Sequence, residues 1–169
     1  MNTLQRGFSL LEVLIALLVV SVGLLGMGAL LITTHANNQS SLYRGQSAML
    51  AREIVERMRV NVAEAKAGNY DSDTKTWSIP TQDCAVGGAD CSPAQMRQHD
   101  LRVWSARMTS LLPGGYATIN TVIPTDPAVE PVEVTVTLGW TVRLGPSALS
   151  SASTLRTESF EFELYGMGG

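Results

Sequence analysis

The chain of 169 residues has only two histidines, two cysteines and twelve basic side chains, and each scarcity excludes something. His35 and His99 are far apart, and neither stands with cysteines or carboxylates at metal-ligand spacing. No Gly-x-Ser-x-Gly elbow occurs, and no Gly-x-Gly-x-x-Gly follows a strand. His99-Asp100 is an adjacent histidine–carboxylate pair, but neighbours on a helix point about 100° apart, so the pair reads as surface decoration. These absences lead to the expectation of a protein that is not an enzyme, with no cofactor, no metal and no small-molecule substrate. The basic residues are scattered, the net charge is -3 and the pI about 5.3, so the electrostatic footprint of a nucleic-acid binder is missing too.

The cysteines Cys84 and Cys91 enclose six residues in the Gly-rich stretch CAVGGADC. The spacing is neither that of a Cys-x-x-Cys redox pair nor that of a four-ligand zinc site. In an oxidising compartment such a pair closes into a disulfide; in a reducing one it stays as two thiols. A disulfide places the bulk of the chain outside the cytoplasm.

Charge is scarcest near the N-terminus. From Phe8 to Ile32 the only charged side chain is Glu12, and that run of about 25 residues exceeds the ~20 needed to cross a bilayer as a helix. A secretory signal places its cleavage site after the hydrophobic core. Here the short basic segment MNTLQRG ends in glycine and the apolar run comes after it. A carboxylate at mid-span costs roughly 2.5 to 3.5 kcal/mol, so either Glu12 is used or, lying about 6 Å from the helix start, it reaches the headgroups.

Gly7-Phe8-Ser9-Leu10-Leu11-Glu12, leading into an uninterrupted apolar stretch, resembles the class III leader junction of type IV prepilins and type II secretion pseudopilins. The resemblance implies cleavage after Gly7 by a prepilin peptidase and N-methylation of the new first residue, Phe8. It also implies pairing of Glu12 with the N-terminal amine of a neighbouring subunit, which neutralises a carboxylate that lipid would otherwise protonate. The start FSLLEVLIALLVVSVGLLG resembles, within that superfamily, the minor pilins known as type IV pilus modification proteins. The mid-chain cysteine pair and the YGMGG tail depart from the major pilins. The resemblance thus implies a subunit that primes pilus assembly, passes once through the inner membrane with a periplasmic head, and ends in a surface pilus, in a tip complex. Its implied partners are other minor pilins, the major pilin, the inner-membrane assembly platform, the prepilin peptidase and, through residues 8–32, membrane lipid. Minor pseudopilins of type II secretion start almost identically and remain an alternative, as does, from a different class, a membrane-anchored periplasmic binding or adhesion module.

The expected organisation is a leader at 1–7, a transmembrane or filament-core helix at 8–32, an amphipathic continuation at 33–68 and a globular α+β head at 69–169. Leu50, Ile54, Met58 and Val62 recur every four residues with Ala51 and Val55 alongside, so one face of the continuation packs on something. Arg52-Glu56 and Glu53-Arg57 read as ion pairs on a solvated face, and Gly68-Asn69 as the stop. Gly23, Gly26 and Gly28 either weaken the helix locally or allow close helix contacts in lipid. His35 reads as a surface polar residue.

In the head, a strand-like TWSIP at 76–80 precedes a helix over about 93–112, announced by Ser92-Pro93-Ala94-Gln95 and carrying Met96, Leu101, Trp104, Met108, Leu111 and Leu112 at core spacing. Then the period changes to two. Tyr116 to Ile123, the alternating Val132 to Leu144, and Phe160 to Tyr165 predict at least three antiparallel strands, connected through a proline-rich stretch and the polar 145–153. Glu158, Glu161 and Glu163 form a candidate acidic patch on an exposed strand face. The fold class expected is α+β: a long N-terminal helix and an extra helix packed on an antiparallel sheet, as in pilin heads.

Overall fold

The computed structural model describes residues 9–76, 78–84, 91–126, 130–143 and 153–165. Helix α1 spans Leu10–Val60 without a break, begins at an N-cap whose Ser9 Oγ accepts from the Leu11 amide, and includes Gly23, Gly26 and Gly28. The 60-residue helix expected from the pattern is divided at Asn61, where the backbone leaves helical geometry (φ -110°, ψ 52°) before a short helix α2, Val62–Lys66. Asn61 is buried, and its amide donates to Tyr70 Oη and to the Pro93 carbonyl, bonds a helical side chain in line with α1 is not placed to make. Gly68 takes φ +71° after α2, and the bonds Gly68 N–H to Ala65 O and Asn69 N–H to Glu64 O close a Schellman motif there.

Strand β1 is Ser72–Asp73, a two-residue element the turn-rich composition concealed, and residues 78–80 are not a strand as TWSIP led one to expect. Trp77 of that stretch lies outside the described residues, as do most of CAVGGADC, residues 144–152 and the glycines of the YGMGG tail. Helix α3, Pro93–Leu111, carries a full capping box between Ser92 and Gln95 with proline in its first turn. Strands β2 (Tyr116–Val122), β3 (Val132–Arg143) and β4 (Ser153–Leu164) come next, in a four-stranded antiparallel sheet ordered β1-β2-β3-β4.

The core forms where three apolar surfaces meet. Leu50, Ala51, Ile54, Val55 and Met58 of α1 face Leu101, Trp104 and Met108 of α3 and the inner sheet face, where Val132, Val134, Val136, Leu138 and Trp140 alternate as the period of two requires. Val62, beyond the break at Asn61, is only partly buried. The Trp104 indole N–H donates to the Leu50 carbonyl at 2.9 Å, so the largest side chain of α3 is satisfied as well as buried. On the outer face the Tyr116 ring lies over Gly139, where a Cβ would approach it to 2.2 Å, and Lys75 stacks on that ring at 3.6 Å. Only glycine leaves room for this packing.

Candidate functional site

The N-terminal segment of α1 is a bare apolar rod. Leu10–Leu31, 22 residues of mean hydropathy 2.6, is long and apolar enough to cross a membrane, and none of it is buried by the rest of the chain. At 1.5 Å per residue it measures roughly 33 Å, the thickness of a hydrocarbon core with little to spare. Its polar groups are few and accounted for: Ser21 Oγ donates back to the Leu18 carbonyl, and just past the span Thr34 does the same to Leu30.

Glu12 is the single charged residue in this rod. It sits in the first turn of α1, its amide bonded to the Ser9 carbonyl, and is exposed. The carboxylate lies in the first turn at the N-terminal end of α1, and no ion pair to it occurs among the described residues. About 38 residues, roughly 57 Å of helix, separate it from the first core residue of the head, Leu50, so the described residues of the head are out of its reach. Gly7 and Phe8 lie outside the described residues, and so does the His35 side chain.

Cys84 and Cys91 are joined, with Cα atoms 6.0 Å apart. The bridge is held against α3. The Cys84 amide donates to His99 Nδ1 at 3.0 Å, Arg102 Nε donates to the Gln82 carbonyl at 2.9 Å, and Arg102 pairs with Asp83 at 2.8 Å. Since His99 Nδ1 accepts the amide hydrogen, that nitrogen carries no proton, and the 3.4 Å approach of Asp83 to it is not an ion pair in this arrangement. His99 is therefore a fastening for the disulfide segment. Replacing Cys84 and Cys91 together by serine is expected to cost about 2 kcal/mol, the loop-closure value for so short a loop, read as a lowered denaturation midpoint that reductant also produces in the native chain.

Asp100, the other half of the pair assigned to surface decoration, is buried. Its Oδ2 accepts from Tyr70 Oη at 2.8 Å and its Oδ1 pairs with Arg57 at 3.1 Å, while Arg57 also reaches Glu53, which in turn meets Arg107 of α3. The Glu53-Arg57 face assigned to solvent is thus the polar half of the α1–α3 contact, and Glu56 pairs with Arg59 rather than Arg52. One signal was present in the sequence: Met96, Asp100, Trp104 and Met108 recur every four residues, so Asp100 falls in the row of core positions. Burial works to lower the Arg57 pKa, and the hydrogen bonds to Asp100 and Glu53 outweigh it and raise it. Burial first, and the bond to Asp100 second, push the Tyr70 hydroxyl well above the usual tyrosine range. A raised folded-state value means that this contribution to stability is complete below about pH 10, where the unfolded phenol begins to ionise, and is lost as pH rises further. In a phenolate absorbance titration a late-ionising tyrosine is expected, and Tyr70→Phe removes it.

Of the acidic patch, Glu161 and Glu163 share the outer sheet face with Glu133, whereas Glu158 does not: it has the parity of Phe160 and Phe162 and pairs with Arg44 of α1 at 2.7 Å. Among the described residues no group of three acidic, histidine or cysteine side chains is arranged to hold a metal ion.

Two family models match the sequence. Residues 2–28 match the model described as the prokaryotic N-terminal methylation motif, and residues 29–102 match the model of Tt1218-like proteins, described as type IV pilin Tt1218. No curated protein and no solved structure matches the chain. The two matches together cover residues 2–102, through the rod to the middle of α3, and stop before β2.

Proposed function

Because this chain is type IV pilin-like, from a family of structural subunits rather than enzymes, we propose that it is a minor pilin that primes type IV pilus assembly and occupies a tip complex. In this reading the leader is cut after Gly7, Phe8 becomes the methylated N-terminus, residues 8–32 hold the subunit in the inner membrane and then in the filament core, residues 33–68 carry α1 on to the break at Asn61 and then α2, and residues 69–169 complete a periplasmic head. Its partners are other minor pilins, the major pilin, the assembly platform and the prepilin peptidase. The start of the chain also resembles the type IV pilus modification proteins.

The observation that supports it best is Glu12. A carboxylate in an otherwise uncharged 22-residue rod, exposed and without an ion-pair partner among the described residues, is costly in a bilayer, and a cation from a neighbouring subunit offsets that cost. The amine created by cleavage after Gly7 on a neighbouring subunit lies at the same membrane depth, and pairing with it sets the register between subunits. The Cys84–Cys91 bridge fits a head that matures in an oxidising compartment.

Glu12→Ala is expected to be processed normally and to assemble poorly, because the neighbour's amine loses its counter-charge. The experiment is a deletion strain complemented with native or Glu12→Ala protein, scored for surface pili, twitching and type II secretion, with the mass of the mature chain measured alongside. Loss of pili with secretion intact, not rescued by Glu12→Ala, is the outcome this reading requires. Intact pili with failed secretion assigns the chain to a minor pseudopilin, the alternative that shares this N-terminus, and a full-length unmethylated chain in the membrane assigns it to an ordinary anchored binding or adhesion module.

A further inference from the structure

The sheet ends on an open strand. β4 has β3 on one side and, among the described residues, nothing hydrogen-bonded along the other. Its pairing with β3 runs in unbroken register from Val132↔Leu164 to Arg143↔Ser153, with no bulge to twist the edge away. The strand contains neither proline nor lysine; its charges are Arg156, Glu158, Glu161 and Glu163, of which Glu158 is taken up by Arg44. Twelve residues make an edge of roughly 40 Å, long for an edge strand, and acidic along its outer face.

Two side-chain features say what the edge is shaped for. On the inner face Phe160 and Phe162 pack on the core but are only partly buried, whereas the β3 residues opposite them, Val136 and Val134, are fully buried. The core is unfinished along this margin, and one more strand carrying apolar residues on that side would finish it. On the outer face Glu163 lies directly across from Glu133, with Glu161 two residues away, and among the described residues no basic side chain pairs with any of the three. Like charges directly opposed across strands destabilise a sheet, and cations on an added strand relieve them.

We infer that the free edge of β4 is a strand-addition site for an extended segment of another protein, with apolar side chains over Phe160 and Phe162 and basic side chains beside Glu161 and Glu163. Main-chain hydrogen bonds supply the attachment and the alternating side chains the selectivity, as in other β-augmented complexes. A second copy of β4 is poorly suited as occupant, because it brings its own Glu161 and Glu163 to a margin that is already acidic. The inference goes beyond the assembly role and does not depend on how the N-terminus is processed.

The test uses the full chain in detergent and fluorescent peptides of about nine residues, roughly 30 Å when extended. One peptide alternates valine with lysine, a second alternates valine with glutamate, and a third is the lysine peptide N-methylated at alternate residues so that one edge cannot hydrogen-bond. The lysine peptide is expected to bind about tenfold more tightly than the glutamate peptide, the N-methylated one to bind weakly, and the variant Glu161→Lys/Glu163→Lys to reverse the charge preference. Both glutamates are exposed on the outer face, so the double variant keeps the core intact. Equal binding of the two charged peptides, tight binding of the N-methylated one, or no binding overturns the inference. So does competition by a second copy, seen as peptide release when the protein concentration is raised.

Discussion

Replacing Asp100 by alanine is expected to cost the head about 2 to 4 kcal/mol. Removing one partner of a buried ion pair typically costs about 3 to 5 kcal/mol, because the charge left behind stays desolvated. Here the figure is lower, since Arg57 keeps 28% of its side chain exposed and retains Glu53 as a second partner. Tyr70 also loses the acceptor of its hydroxyl. In a head of about 100 residues such a loss moves the melting temperature down by more than about 10 °C, measured by circular dichroism on the full chain in detergent. Arg57→Met with Asp100→Leu, which removes both charges, is expected to recover much of the loss. If Asp100→Ala melts as the native chain does, the network does not join α1 to α3.

The second large effect concerns the proposed processing. Replacing Gly7 by valine is expected to leave the full-length chain in the membrane, uncut and unmethylated at Phe8, and absent from filaments. The proposed junction has glycine before the cut, and valine there adds a branched side chain and restricts the backbone, so a large loss of cleavage is expected. The measurement is the mass of the membrane-extracted chain from cells making native or Gly7→Val protein. Normal cleavage of the variant overturns the leader assignment, whereas a block of cleavage together with loss of assembly ties the two steps to one site.

How much of the fold and site was legible in the sequence depended on the range of the forces involved. The membrane rod, the α3 capping box and the alternation of β3 are local patterns: each is a period or a cap set by neighbours a few residues apart, and the structure places them within a residue or two of where the sequence does. β1 was missed because a two-residue strand has no period to detect, and it exists only because β2 is there to pair with. The break at Asn61 was missed for a related reason. Nothing near it in the chain forbids a helix, and the bonds that hold it come from Tyr70 and from Pro93, 32 residues away.

The sequence by itself determined the bare rod with its lone Glu12, the two-period head, the α+β class and the cysteine pair in reach of one another, because each follows from side-chain chemistry and spacing along the chain. Only the tertiary structure decided that Asp100 and Arg57 face each other inside the head, that His99 fastens the disulfide segment, that Glu158 turns inward to Arg44 while Glu161 and Glu163 face out, and that the long strand β4 lies at an edge of the sheet. Those are long-range pairings. A charge reads as a solvated face from its neighbours in sequence, and becomes a buried partner only when the fold brings an opposite charge from a distant element and removes the water between them.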